Sequence, residues 1–152
     1  PKVDSVSDLW RSPELLRNKT PPRRGTQKGD VYSFAIILYE VIGRSGPWGK
    51  HQTYGINGII DRVKKILSPG KVAFRPPLED LEADDYIIKT ILDCWNENPE
   101  LRPDFRQIKA KLRPMQAGLK PNIFDNMLAM METYASNLES LVQERTQLLM
   151  EE

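Results

Sequence analysis

From Val31 to Ile42 the residues Val31, Phe34, Ala35, Ile36, Ile37, Leu38, Tyr39, Val41 and Ile42 point to every side of a helical wheel, with Asp30 before them and Gly43 after. An apolar helix with no polar face belongs inside a core, so the pattern predicts a buried central helix, capped by Asp30, with Phe34 and Ile37 in that core. A buried strand would also suit the β-branched residues; twelve residues with start and stop signals select the helix. After a Gly- and Pro-containing loop from Gly43 to Gly55, Ile56, Ile59, Ile60, Val63 and Leu67 recur at helical spacing and predict a one-sided helix closed by Ser68-Pro69-Gly70. Extended Val72 to Leu78, broken by Pro76-Pro77, leads to a third helix near Asp84 to Asn96, with Ile87, Ile88, Ile91, Leu92 and Trp95 as its stripe. A fourth helix starts at Pro103, a favoured first-turn residue, and turns Phe105, Ile108 and Leu112 inward before Pro114. Residues 1 to 29, with Pro13, Pro21, Pro22, Gly25 and Gly29, read as loop. The expected fold class is all-α.

The last segment differs in kind. From the candidate cap Asn122 to Glu152 no Pro or Gly interrupts the chain, room for a rod of roughly 46 Å at about 1.5 Å per residue. Met131, Leu138 and Arg145 repeat every seven positions, as do Met127, Tyr134, Leu141 and Leu148, and Leu128, Ala135, Val142 and Leu149. Such a stripe suits either a long helix lying on its own globule or a parallel dimer with the same helix of a second copy, and the length of the rod favours the dimer. The predicted seam is Met127, Leu128, Met131, Tyr134, Leu138, Leu141, Val142, Arg145 and Leu148. Arg145 is the polar seam residue that fixes register at some cost in stability.

Charge narrows the function classes. Lys plus Arg number 22 against 21 Asp plus Glu, a net charge of +1, so no bulk field holds nucleic acid or an anionic membrane. The basic run Arg17, Lys19, Arg23, Arg24 and Lys28 reads as a solvated loop that would otherwise dock an acidic partner. Cys94 is the single cysteine, which excludes an internal disulfide or a cysteine-built zinc site and suits a reducing compartment. His51 stands alone between Lys50 and Gln52, without the ligand cluster a metal needs. No uncharged run approaches the roughly 20 residues of a membrane span, and the opening Pro1-Lys2-Val3-Asp4 reads as the start of an excised piece. Trp95, set at helical spacing among Ile and Leu, reads as core and not as a stacking platform for a ligand; Trp10 raises the same question.

Three short stretches carry a resemblance. Leu9-Trp10-Arg11-Ser12-Pro13-Glu14-Leu15-Leu16 resembles the end of the activation segment of protein kinases, with Ser12 in the usual Ala place. Asp30-Val31-Tyr32-Ser33-Phe34 is similar to the start of the central helix of the kinase C-lobe. Cys94-Trp95, Asn98-Pro99 and Leu101-Arg102-Pro103 resemble the stretch that closes that lobe. A narrower likeness is to membrane receptor guanylyl cyclases, on Gln27-Lys28-Gly29-Asp30, Arg44-Ser45-Gly46-Pro47, Phe74-Arg75-Pro76 and Arg102-Pro103-Asp104-Phe105. Asp125-Asn126, Glu132-Thr133-Tyr134-Ala135-Ser136-Asn137-Leu138-Glu139 and Leu141-Val142-Gln143-Glu144-Arg145-Thr146 are similar to the linker helix of that family.

The resemblance implies the helical C-terminal lobe of a kinase-homology domain over residues 1–118, then a dimerising, coiled-coil-type linker over 119–152 leading towards a cyclase domain. It implies a buried ion pair between Glu14 and Arg102, and Asp30 as an anchor of the central helix. The implied role is to couple receptor state to cyclic GMP synthesis, in the cytoplasmic portion of a single-pass membrane protein, as a homodimer working on the cyclase domain of the same chain. No catalytic, metal or cofactor residue is expected within these residues, because the glycine loop, lysine, glutamate and aspartates of phosphoryl transfer have no candidate here. Gly43, Gly46 and Gly49 follow a loop spacing and not a phosphate-cradling one. ATP would belong to the cleft of the missing N-lobe, and GTP with Mg2+ or Mn2+ to the cyclase domain; no nucleic-acid or direct membrane contact is implied. Two other readings remain: a fragment of an active protein kinase, a phosphotransferase, and a helical dimerisation adaptor with no enzyme attached.

Overall fold

The computed structural model describes residues 5–118 and 125–133, and among them it is helical with no strand. The central helix, here α2, runs Gln27–Gly43. Every residue from Val31 to Tyr39 is buried, with Tyr32, Phe34, Ala35 and Ile36 at 0% exposure. This follows from an apolar surface on all sides: each face must find a cover, and α4 (Asp85–Cys94) packs along α2 most extensively. Val41 is 54% exposed, where the helix leaves the core.

The cap of α2 is Thr26, not Asp30. Thr26 is extended (φ −134°, ψ 156°), and its Oγ1 accepts from the Gly29 amide at 2.9 Å. The Asp30 amide already donates to the Thr26 carbonyl at 2.9 Å. Asp30 therefore lies inside the first turn, where its carboxylate still faces the positive end of the helix dipole. Both residues are good caps by type, and backbone geometry one turn upstream decides between them.

Within residues 5–29 the chain is less irregular than expected. Ser5–Trp10 is a 3-10 helix and α1 covers Pro13–Arg17. The 3-10 helix is fastened by its last two carbonyls: Leu9 O accepts from Trp48 Nε1 at 2.9 Å, and Trp10 O from Ser33 Oγ at 2.6 Å. Buried donors elsewhere in the chain make this segment regular, and such partners do not show in its own composition.

Helix α3 spans Gly55–Lys64 and buries Ile59 and Val63. Helix α5 runs Phe105–Lys111, two residues later than Pro103 suggests, because Asp104 and Gln107 close a reciprocal capping box of 2.8 and 2.9 Å. In α4 the buried line is Ile87, Thr90, Ile91 and Cys94, with Trp95 at the C-cap and Leu92 47% exposed. Thr90 can take a core position because its Oγ1 donates to Tyr86 O at 2.7 Å. Phe34, Ile37, Trp95 and Ile108 are at 0%, 5%, 4% and 1% exposure, while Phe105 is half-buried and meets the Phe34 ring edge-on at 5.6 Å.

After a 3-10 turn at Arg113–Gly118, residues 125–133 form a helix, α6. Met131 is 7% exposed within the lobe's own core, and Met127 and Leu128 pack against that core. Full burial of one such side chain contributes about 1.5–3 kcal/mol. In this structure these three residues of the expected seam are turned onto the lobe, which supplies the apolar cover that their stripe needs. Tyr134, Leu138, Leu141, Val142, Arg145 and Leu148 lie outside the described residues.

Gly29 marks the crossing of α1 and α2. A Cβ there would stand 2.7 Å from Leu15 Cδ1, 3.0 Å from Thr26 Oγ1 and 3.2 Å from Ser12 Oγ. Gly→Ala inside a helix ordinarily gains about 0.5–1 kcal/mol. Here Gly29→Ala is expected instead to cost about 1–3 kcal/mol through overpacking, read as a lowered urea midpoint; a raised midpoint would show that the crossing has room.

Candidate functional site

The candidate site is a charged network that links α1, α2, the end of α3 and the loop after α4. Arg102 has a side chain at 0% exposure. It grips Glu14 with two parallel bonds, Nη1 to Oε1 at 2.6 Å and Nη2 to Oε2 at 2.9 Å, across 88 positions of chain. The same guanidinium donates from Nη1 to Lys28 O and from Nε to Asn96 O, both at 2.9 Å. Lys28 Nζ returns a bond to Arg102 O at 3.0 Å. The planar fork of arginine suits this pattern, with a carboxylate on one edge and carbonyls on the rest. Burial by itself raises the Glu14 carboxyl, but the Arg102 hydrogen bonds and charge together outweigh it and hold the group below its ordinary value.

A second arginine completes the network. Arg75 donates from Nε to Trp95 O at 2.9 Å, from Nη1 to Phe74 O at 2.8 Å and from Nη2 to Glu97 Oε2 at 2.9 Å. Glu97 Oε1 takes Arg17 Nη2 at 2.7 Å. Arg17 also donates to the Lys64 and Lys65 carbonyls at 2.7 and 3.1 Å, so it closes the C-terminus of α3, where a cation is favoured. Both arginines lie near the buried Tyr32 ring, the Arg75 guanidinium 5.1 Å and that of Arg102 5.4 Å from its centre, within cation–π range. Burial pushes the Tyr32 phenol up.

The structure thus brings Glu14 and Arg102 together, and sets Asp30 at the start of the same helix that carries Lys28 and Tyr32. Arg17, Tyr32, Arg75 and Glu97 join the site without having been singled out for it. Arg17 and Lys28 belong to the basic run expected to be solvated; both are committed to internal acceptors, which leaves Lys19, Arg23 and Arg24 as its exposed members. The only sequence signal for Arg75 is its place in Phe74-Arg75-Pro76.

Chemically the network is suited to holding and not to proton transfer. Glu14 accepts two bonds from one guanidinium and is held below its ordinary value, which is not the setting of a poised general acid or base, and Glu97 is shared between Arg17 and Arg75. Among the described residues no three His, Cys, Asp or Glu side chains gather as metal ligands. The loop glycines Gly46 and Gly49 take left-handed backbone and lie close against the chain's own side chains. Gly46 (φ 80°) faces the Gln52 side chain, with Nε2 1.9 Å from an added Cβ, and Gly49 (φ 53°) faces Tyr39 Oη at 2.7 Å.

A sequence model of the family described as protein tyrosine and serine/threonine kinase matches residues 4–112. The chain is 57% identical over 148 residues to guanylate cyclase 32E of Drosophila melanogaster, covering 95% of this chain and 12% of that protein. It is 49% identical over 150 residues to the receptor-type guanylate cyclase Gyc76C of the same organism, covering 96% of this chain and 10% of the relative. With atrial natriuretic peptide receptor 2 of Rattus norvegicus the identity is 40% over 148 residues, 95% of this chain and 14% of the relative. The chain therefore spans 14% or less of the length of these curated relatives. Among the described residues no helix is long and apolar enough to cross a membrane.

Proposed function

The chain belongs to the protein tyrosine and serine/threonine kinase family, in the kinase-homology form that receptor guanylate cyclases carry, and from that premise we propose that it relays receptor state to the cyclase. The observation that carries this is the reach of the likeness: the family model stops at residue 112, whereas identity to receptor cyclases covers 95% of the chain and so runs well beyond the lobe. A lobe and the rod after it, kept as one unit, make a relay.

In this reading the lobe is a rigid body and does no chemistry itself. The Glu14–Arg102 and Arg17–Glu97–Arg75 pairs support that role, since they tie together segments far apart in the chain. The rod pairs with that of a second copy and sets the relation of the two cyclase domains in which GTP, with Mg2+ or Mn2+, becomes cyclic GMP. ATP would act in the cleft of the preceding lobe, and the segment would sit in the cytoplasmic portion of a single-pass membrane protein. A rod of this kind transmits only if it has at least two packings of similar energy.

Phase along the rod tests the idea in the full-length protein. Seven residues inserted after Ser136 keep the apolar stripe on one side, while four rotate it. The seven-residue insertion is expected to retain stimulus-dependent cyclic GMP synthesis, and the four-residue insertion to change the ratio of stimulated to basal activity about ten-fold or more, roughly 1.4 kcal/mol of coupling. Equal activities from both insertions would end the relay reading, and transfer of the ATP γ-phosphate to protein by the full-length chain would replace it with a kinase.

A further inference from the structure

We propose that the opening turns of α6 have two mutually exclusive partners, the chain's own lobe and the same turns of a second copy, so that docking in one chain competes with pairing between chains. The proposal rests on the relay reading, which supplies the paired rod.

One stripe is claimed twice. Met131 is buried against the lobe with Met127 and Leu128 beside it. In sequence these residues begin the lines Met131–Leu138–Arg145, Met127–Tyr134–Leu141–Leu148 and Leu128–Ala135–Val142–Leu149. Sevenfold spacing keeps each line on one face of a helix, so the face that would meet a second copy further along is the one that the lobe covers here. The outer side offers no substitute: Asp125, Asn126, Glu132 and Thr133 are exposed, and of the apolar residues there Met130 is 71% exposed. For pairing to extend back to Met127, these turns must leave the lobe.

Leaving is made easy by how α6 is held. Its start is pinned by Asp125 to Lys109 of α5 at 3.0 Å, with the two side chains 49% and 53% exposed. Clefts of about 170 and 310 Å³ flank the helix, one lined by Phe105, Lys109, Leu128 and Ala129, the other by Lys28, Asp30, Asp104 and Glu132. The contact is therefore incompletely filled on both flanks of the helix. A weakly held element whose one apolar face also serves a second partner is a two-state element.

The test uses the full-length protein in membranes, with Leu128→Cys reporting pairing of the contested turns and Leu138→Cys reporting pairing beyond them. Lys109→Glu or Asp125→Lys, each breaking the pin, is expected to raise Leu128→Cys cross-linking between copies by about two- to five-fold, the range open to an exposed ion pair. The double exchange, Lys109→Glu with Asp125→Lys, should return it to the starting level, while Leu138→Cys cross-linking stays constant throughout. Cross-linking at Leu128→Cys that ignores both single changes, or that the double exchange fails to restore, overturns the competition and leaves the relay standing. Absence of cross-linking at Leu138→Cys in every variant overturns the paired rod, and the competition with it.

Discussion

Arg102→Met is expected to destabilise the lobe by about 3–5 kcal/mol, because it strands the Glu14 carboxylate in a site built for a partner. The loss is compounded: Lys28 O and Asn96 O each give up a 2.9 Å donor, and the Tyr32 ring loses one of its two nearby cations. Domains of this size hold only about 5–15 kcal/mol in total, so the variant should sit near the edge of folding. With a urea slope of about 1–3 kcal/mol per molar, its midpoint should fall by roughly 2 M. Arg102→Lys should recover little, since one ammonium cannot span both carboxylate oxygens and two carbonyls. Glu14→Met combined with Arg102→Met should be more stable than Arg102→Met alone, because no charge is then stranded. A midpoint shift below about 0.3 M for Arg102→Met would mean that the pair adds nothing to stability.

The same pair sets a pH signature. The Glu14 carboxyl lies below its ordinary 4.5 in the folded lobe. Its contribution is thus fully present above that ordinary value and is lost as pH falls through the lower, folded one. Wild-type stability should therefore drop more steeply below pH 4.5 than that of Arg102→Met, in which Glu14 has no cation to hold it down.

What the sequence could and could not reveal follows from where each determinant lies. A helix apolar on every side can only be central, so α2 and its burial from Val31 to Tyr39 were legible from one stretch of chain. Glu14 and Arg102 stand 88 positions apart and nothing local links them; their pairing was legible only through likeness to kinases. Caps and ends escaped because several residues of suitable type compete, as Thr26 and Asp30 do, and the backbone chooses. The stripe of α4 departs from its periodic pattern at Leu92 and Thr90 for a related reason. Hydrophobicity ranks Leu above Thr, whereas packing against α2 selects by direction and a local hydrogen bond makes the Thr acceptable. The fold of α6 onto the lobe was one of two options that the stripe left open, since periodicity defines a face without naming its cover.

Trp48 lies in a stretch that reads as loop, and Trp48→Ala should nevertheless cost about 3–5 kcal/mol, as large as any core truncation. The residue is 1% exposed and joins its own turn to two remote segments. Its ring stacks on Phe74 at 5.2 Å and 10° between planes, its Nε1 holds Leu9 O at 2.9 Å, and its own carbonyl accepts from the His51 amide at 3.0 Å. Trp48→Phe keeps an aromatic ring against Phe74 but leaves Leu9 O without that donor, for an expected cost of about 1–3 kcal/mol. The two variants should differ in kind as well as size. Trp48→Phe should speed amide exchange within Ser5–Trp10 while α4 stays protected, because the lost bond fastens that 3-10 helix locally. Trp48→Ala should speed exchange in both, because the void also unseats Phe74 and with it the Phe74 carbonyl that Arg75 Nη1 holds at 2.8 Å. If Trp48→Phe left exchange in Ser5–Trp10 unchanged, the indole bond would be idle and the segment would owe its order to Ser33 and Trp10 alone. If it held, the route from this loop to the charged network would run through Phe74 and Arg75, two neighbours that share one peptide bond.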